Sequence, residues 1–252
     1  MTYVMSPAAA WYDFLEDVRE ARKKLGGPVW YRGHASVAYQ LVPSLVRYDA
    51  VVHEREMFHE FRKYAGRLVG QRTSEWETLF DMQHYGVPTR LLDWTETFSV
   101  AVAFAVLDRK VSAGQQGEGD AAVFLLNPQK LNAASGRGAL LELPSTEFSY
   151  TGICLEKKPY AMTYPMAVTA GVTTITNERM FAQRGVFTLH GERIEGLEDQ
   201  VPAAVAKIPL RPSAIDGAKE FLENAGVNSV SLFPDLIGLA RHVRLRYVCS
   251  AQ

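Results

Sequence analysis

The densest run of reactive side chains is His84-Tyr85-Gly86-Val87-Pro88-Thr89-Arg90-Leu91-Leu92-Asp93-Trp94-Thr95. It holds an imidazole, a guanidinium, a carboxylate, two threonine hydroxyls and an indole within twelve residues. Gly86 and Pro88 fix a turn. Asp93 and Thr95 then lead into an apolar helix, whose first backbone N–H groups are free to meet a ligand. Polar residues this dense beside a buried helix point to a site. A structural account competes with that one, in which Arg90 pairs with Asp93 and Thr95 is only a cap. A second segment is Trp30-Tyr31-Arg32-Gly33-His34. An arginine leaving a strand can hold a phosphate or carboxylate with its two-pronged head, and a following glycine permits close approach. The same arginine also suits an internal acid. A third segment is Arg179-Met180-Phe181-Ala182-Gln183-Arg184-Gly185-Val186-Phe187-Thr188-Leu189-His190. Gln183 can read a ligand or satisfy loop backbone, and Arg179 and Arg184 make an anion contact possible.

These segments need elements to hold them. Trp11, Phe14, Leu15, Val18 and Leu25 fall on one face of a helix over 8–25, ended by Gly26-Gly27-Pro28. A strand at Val29-Trp30-Tyr31 then runs into Arg32 and Gly33. Helices are expected over 51–68, over 76–84 and over 96–107, the last capped by Thr95. A polar loop falls at 114–119, and Ala122 to Leu126 reads as a buried strand. Residues 129–178 are the least legible; Pro144, Pro159 and Pro165 break them up. Val186 to His190 and Val205 to Leu210 read as strands. Ser213 with Asp216 starts a helix that Gly226 closes. Val227 to Phe233 reads as a strand, and a last helix follows Pro234 with Leu236, Ile237, Ala240 and Val243 inward. No regular βαβ alternation appears, so the expectation is one α+β domain over residues 1–252, with mixed helices and short strands.

Composition narrows the classes. At 47% apolar and 22% charged the chain can bury a core, which excludes disorder as its main state. With 27 basic and 28 acidic residues, net charge gives no indication of nucleic acid or an anionic membrane as partner. The longest apolar run, Phe98 to Leu107, is ten residues, half of the roughly 20 that a membrane span needs. Two cysteines, Cys154 and Cys249, cannot build a disulfide framework, and a reduced, cytoplasmic setting is the default. The histidines at 34, 53, 59, 84, 190 and 242 show no metal-ligand pairing, so no metal is expected. Walker A, G-x-G-x-x-G, H-E-x-x-H and G-x-S-x-G patterns are missing.

Taken together, the three segments resemble the FRG domain family, whose aromatic-Arg-Gly motif is here Tyr31-Arg32-Gly33. The resemblance continues through Leu41-Val42-Pro43-Ser44-Leu45-Val46-Arg47. It is strongest at His84 to Thr95, goes on at Arg179 to Phe187 and ends at Leu232-Phe233-Pro234-Asp235-Leu236. It thus spans about residues 10 to 245 and implies a bacterial or phage-type protein, with a toxin or phage-defence role in view. A more distant similarity is to the arginine-type ADP-ribosyltransferases. In those enzymes an aromatic-Arg-Gly strand binds the NAD phosphates. A Ser-Thr-Ser strand then precedes an Ala-rich helix, and a later Gln-x-Glu holds the catalytic Glu. Tyr31-Arg32-Gly33, Asp93-Trp94-Thr95 before Ala101 to Ala105, and Gln183-Arg184-Gly185 stand in that order, with Gly185 in the place of the Glu. The resemblance implies NAD as substrate and Asp93, His84 and Gln183 as catalytic residues. Tyr31, Arg32, Gly33, Arg90, Trp94 and Thr95 would bind NAD, and an acceptor macromolecule or partner protein would receive ADP-ribose. The alternative is a non-catalytic domain that senses a nucleotide or other ligand in the same pocket.

Overall fold

The computed structural model describes residues 7–68, 74–107, 119–136, 139–143, 149–156, 165–170 and 178–248. Of the loop expected at 114–119 only Gly119 is described, and Pro144, Pro159 and Cys249 lie outside the described residues. Helices α1 (Pro7–Leu25), α2 (Ser44–Arg47), α3 (Glu54–Leu68), α4 (Glu75–His84), α5 (Phe98–Leu107) and α6 (Pro128–Ala134) come first. Then follow α7 (Glu178–Ala182), α8 (Leu197–Gln200), α9 (Ile215–Asn224), α10 (Ser229–Leu232) and α11 (Leu236–Tyr247). The strands are β1 (Trp30–His34), β2 (Leu91–Thr95), β3 (Ala121–Leu126), β4 (Leu141–Leu143), β5 (Met166–Ala170), β6 (Gly185–Leu189) and β7 (Val205–Leu210). They form one sheet in the order β4-β5-β6-β2-β1-β3-β7. Only the β4–β5 pair is parallel. The expected α+β class is what forms.

Strand alternation sorts the core. On one face, Tyr31, Val123 and Leu125 pack against Trp11, Phe14 and Val18 of α1, Ala101 and Ala105 of α5, and Ala218 and Leu222 of α9. Further along the sheet, Leu91, Phe187 and Leu189 pack against Phe58 of α3 and Leu79, Phe80 and Met82 of α4. On the opposite face Trp30, Leu92, Trp94, Phe124 and Leu126 meet Leu131 of α6 and Leu197 of α8. Two helix groups therefore cover one face, α1/α5/α9 over β1 and β3 and α3/α4 over β2 and β6. Between the groups the floor is β1 and β2, which are in register at Tyr31↔Thr95.

Local signals explain most elements. Ser74 and Glu77 form a reciprocal capping box at the start of α4, each bond 3.1 Å. Gly226, at φ +68, closes α9. Four expectations need correction. Asp93 and Thr95 do not open a helix; they lie on β2, and α5 starts at Phe98. Ser213 does not cap α9, because Pro212–Ala214 is a separate 3-10 turn and Ala214 stands at the cap. Val227 to Phe233 is not a strand. The Asn228 side chain accepts from the N–H groups of Val230 and Ser231 and starts α10 instead. Finally, α11 is turned the other way: Leu236 and Ile237 are 82% and 80% exposed. Gly238 is the seated residue, since a Cβ there would lie 1.9 Å from the Phe233 carbonyl oxygen.

Candidate functional site

A cavity of about 210 Å³ opens where the two helix groups part. Its walls bring together Arg32, His84, Asp93, Trp94, Thr95 and Gln183, with Tyr31 and Gly33 beside them. Three distant segments thus meet at one place. α4 contributes Phe80, Gln83 and His84, which at i, i+3 and i+4 share one helix face. α5 contributes Phe104, and the α7–β6 segment contributes Arg179, Met180, Gly185 and Phe187.

Asp93 is the one acid among these lining residues. Its Oδ2 accepts from Gln83 Nε2 at 2.7 Å and lies 3.9 Å from Arg32 Nη1. Thr89 fixes the amide of Gln83: its hydroxyl accepts from the Leu91 N–H and donates to Gln83 Oε1. The flipped amide would turn its oxygen toward the Asp93 carboxylate, so the Thr89 hydroxyl sets which end faces the acid. The carboxylate itself is 55% exposed.

Arg32 fills the gap where β1 and β2 part. Its Nη1 donates to the Asp93 carbonyl oxygen, in place of a ladder bond, and its Nε donates to His34 Nε2 at 2.8 Å. Because arginine can only donate, His34 Nε2 must be the unprotonated nitrogen. The proton is then on Nδ1, which faces the Tyr39 carbonyl at 3.4 Å. Burial and the Arg32 charge push the His34 pKa down to about 3, so this neutral tautomer holds at neutral pH. Burial lowers the Arg32 pKa to about 10, opposed by Asp93 and helped by Arg47; the group stays a cation. On the lining, burial followed by the Arg179 charge lowers the pKa of His84, with Asp81 and Asp235 opposing. His84 therefore presents a neutral imidazole near pH 7.

Several expected residues border the cavity yet have other partners. The Tyr31 ring packs edge-on against Phe98 at 5.6 Å. The Trp94 indole, by strand alternation, lies in the core behind the sheet and donates to Thr188 Oγ1 at 3.1 Å. Thr95 ties the two turns at the cleft edge, donating to the Gln183 carbonyl and accepting from the Thr97 N–H. Gln183 Nε2 donates to the Leu232 carbonyl at 2.9 Å, holding α10. Gly33 is not an opening for a ligand. A Cβ there would sit 1.8 Å from the Ala101 carbonyl oxygen, so the missing side chain is where the α5 backbone rests on β1. Arg90 is not a wall of the cavity. It precedes β2 at the end away from Thr95, three residues from Asp93, or about 10 Å of extended chain. There it is buried and donates to Glu54 Oε1 at 2.6 Å and to the Gly191 carbonyl. Its acid partner is therefore Glu54, not Asp93.

Gln83 and the aromatic walls Phe80, Phe104 and Phe187 do not stand out as site residues in the sequence, whereas Arg179 does, as a possible anion contact. Phe80 and Gln83 had one usable signal, the helical offset from His84. Among the described residues no group of three or more His, Cys, Asp or Glu could hold a metal ion. No helix among them is long and apolar enough to cross a membrane.

A single-sheet α+β unit with a ligand-sized cleft over two parted strands is the class these features define. Residues 27–113 match the family model of the FRG domain. That stretch carries Arg32, Gln83, His84 and Asp93, whereas Arg179, Gln183 and Gly185 come from outside it, so the cleft is completed by later sequence. No curated protein and no solved structure gives a match, and neither comparison supplies an ADP-ribosyltransferase.

Proposed function

We propose that the cleft binds NAD and that the protein breaks the bond between nicotinamide and ribose. The electron pair of that bond leaves with nicotinamide. The ribosyl carbon is captured by a nucleophile of an acceptor macromolecule, or by water, whose proton goes to solvent. The reading is carried by one observation: the Arg32, Asp93 and Gln183 segments converge on one cavity. Asp93 would face the developing ribose cation, where a fixed carboxylate lowers the barrier. Arg32 would hold the pyrophosphate, and neutral His84 and Gln183 would orient ribose or nicotinamide. At about 210 Å³ the cavity is smaller than the roughly 300–1,000 Å³ of drug-sized sites, so only one half of a dinucleotide would be enclosed. A toxin or phage-defence effector is the setting that the FRG resemblance implies.

One observation favours a second reading, a non-catalytic sensor that uses the cleft only for binding. Gly185 stands where a second carboxylate belongs, which leaves Asp93 as the sole acid among the described lining residues. Incubating purified protein with NAD and measuring free nicotinamide separates the two. Nicotinamide release is expected, and Asp93→Asn should reduce it by at least about a hundredfold, the scale for losing one electrostatic stabiliser. The variant should melt at the wild-type temperature, because its carboxylate is largely exposed. No release by wild type, even with lysate added as a source of acceptors, overturns the enzyme reading in favour of the sensor.

A further inference from the structure

We propose that α11 lies on the surface of an anionic lipid membrane, with its apolar stripe entering the lipid and an arginine on each edge of the stripe. The proposal does not depend on what the cleft binds.

At about 3.6 residues per turn, Leu236, Leu239, Ala240, Val243 and Tyr247 fall within an arc of about 100°. All of them are exposed, as is Ile237 in the first turn. The helix is seated by its other side. There Gly238 lies against the Phe233 carbonyl, and Arg241 Nη2 donates to the Leu107 carbonyl at 3.0 Å. Arg244 and Arg246 are both exposed and stand on opposite edges of the stripe. Residues 236–252 hold three arginines and no Asp or Glu, in a chain whose net charge is −1. Asp235, the acid just before the stripe, is taken up as the helix cap, its Oδ1 accepting from the Gly238 N–H at 2.7 Å.

Charge and area select the occupant. An apolar face with a cation on each edge is complementary to anionic lipid. The apolar side chains enter the acyl boundary, and the long arginine stems let their heads rise to the phosphates. A second copy does not fit, because packing stripe on stripe would set arginine edges against arginine edges, with no acid in the segment to answer them. A protein partner finds little area on this helix. With 12 residues it is short, and half its lateral surface is roughly 300 Å², against about 800 Å² per partner in a stable protein interface. A lipid surface asks for no matching shape, since attachment grows with the apolar area inserted and the basic residues beside it.

Co-sedimentation of the full chain with vesicles tests this. Wild type should bind vesicles of phosphatidylcholine with an equal part of phosphatidylglycerol at least about tenfold better than vesicles of phosphatidylcholine alone, and salt should weaken the binding. Arg244→Gln together with Arg246→Gln should lower it about twentyfold, at about fivefold for each basic residue near an anionic surface. Leu236→Ser together with Ile237→Ser should lower it at least about tenfold. The melting temperature should not change in either variant, because the altered side chains are exposed. Val52→Ser, which alters an exposed apolar residue outside α11, should bind as wild type does. The proposal is overturned if wild type does not bind the anionic vesicles, if it binds both lipids alike, or if both α11 variants bind as well as wild type. Capture of an acidic amphipathic peptide without vesicle binding would assign the stripe to a protein partner and overturn it as well.

Discussion

Arg90 and Arg32 stand near opposite ends of β2, and the same side chain is put to different use at each. At the Arg90 end both partners are sealed from water: the Arg90 side chain is 7% exposed and that of Glu54 5%. Glu54 Oε1 takes a further bond from the Tyr150 hydroxyl at 2.7 Å. Three parts of the chain are thereby fastened together in the core. At the Arg32 end the nearest carboxylate is 3.9 Å away and mostly exposed, and the arginine rests on a neutral imidazole and a backbone carbonyl. A buried pair in tight contact is spent on the fold. A cation held by neutral groups beside an open cavity keeps its charge for something else. Proximity in sequence did not separate these roles: Arg90 and Asp93 are three residues apart and serve the two different ends.

The largest effect is expected where the cleft end relies on backbone contact. Gly33→Ala drives a Cβ into the α5 backbone and should cost more than about 4 kcal/mol, the range of severe core lesions. Chemical denaturation measures it. A mild effect would mean that β1 and α5 can separate, and that Gly33 can serve a ligand after all.

Next comes the direct contest between the arginines. Arg90→Met leaves Glu54 buried without its cation and should cost about 3–5 kcal/mol. For a chain of this size that is roughly 6–20 °C in melting temperature. Arg32→Met loses two hydrogen bonds and should cost about 1–3 kcal/mol. Equal losses in a thermal melt would erase the distinction drawn between the two ends.

Acid tests both ends together. Burial and then the Arg32 charge lower the His34 pKa to about 3. Burial, then Arg32 and Arg90, lower that of His190 to about 3. The unfolded chain titrates these groups near ~6.5. Between the two values the unfolded state takes up protons that the folded state refuses. Stability is therefore full above about pH 6.5 and falls as pH drops toward 3. Urea unfolding at pH 7, 5.5 and 4.5 should show the decline, and His34→Gln should flatten the part that belongs to the cleft end. A curve that is level across this range would exclude neutral, buried imidazoles.

The smallest change concerns the Asp93 carboxylate. Gln83→Leu removes its amide donor, and with that acid half open to water the loss should be about 1 kcal/mol. A loss as large as that of Arg90→Met, by the same denaturant titration, would show Asp93 to be an anchor of the fold.

The sequence by itself determined the mixed class, the helices over α1, α4 and α9, and the strands β1, β3, β6 and β7. Each rests on a local cause: apolar spacing, a capping pair at Ser74 and Glu77, or a glycine past a helix end. It also picked out the three segments that meet at the cavity, because polar groups crowded beside apolar runs are visible in one dimension. Tertiary structure decided the rest. Leu91 to Thr95 reads as a turn leading into a helix, but pairing with β6 makes it a strand, and strand alternation then sends Trp94 behind the sheet and leaves Asp93 on the cleft face. Gly33 looks like room for a phosphate; the packing of α5 fills that room. In α11 the apolar spacing points inward until Gly238 seats the helix by its other side. Sequence spacing offers Arg90 only Asp93 as an acid partner, because Glu54, its actual partner, lies 36 residues earlier. Partner choice for a buried charge depends on which elements enclose it, and no local pattern of residues carries that information.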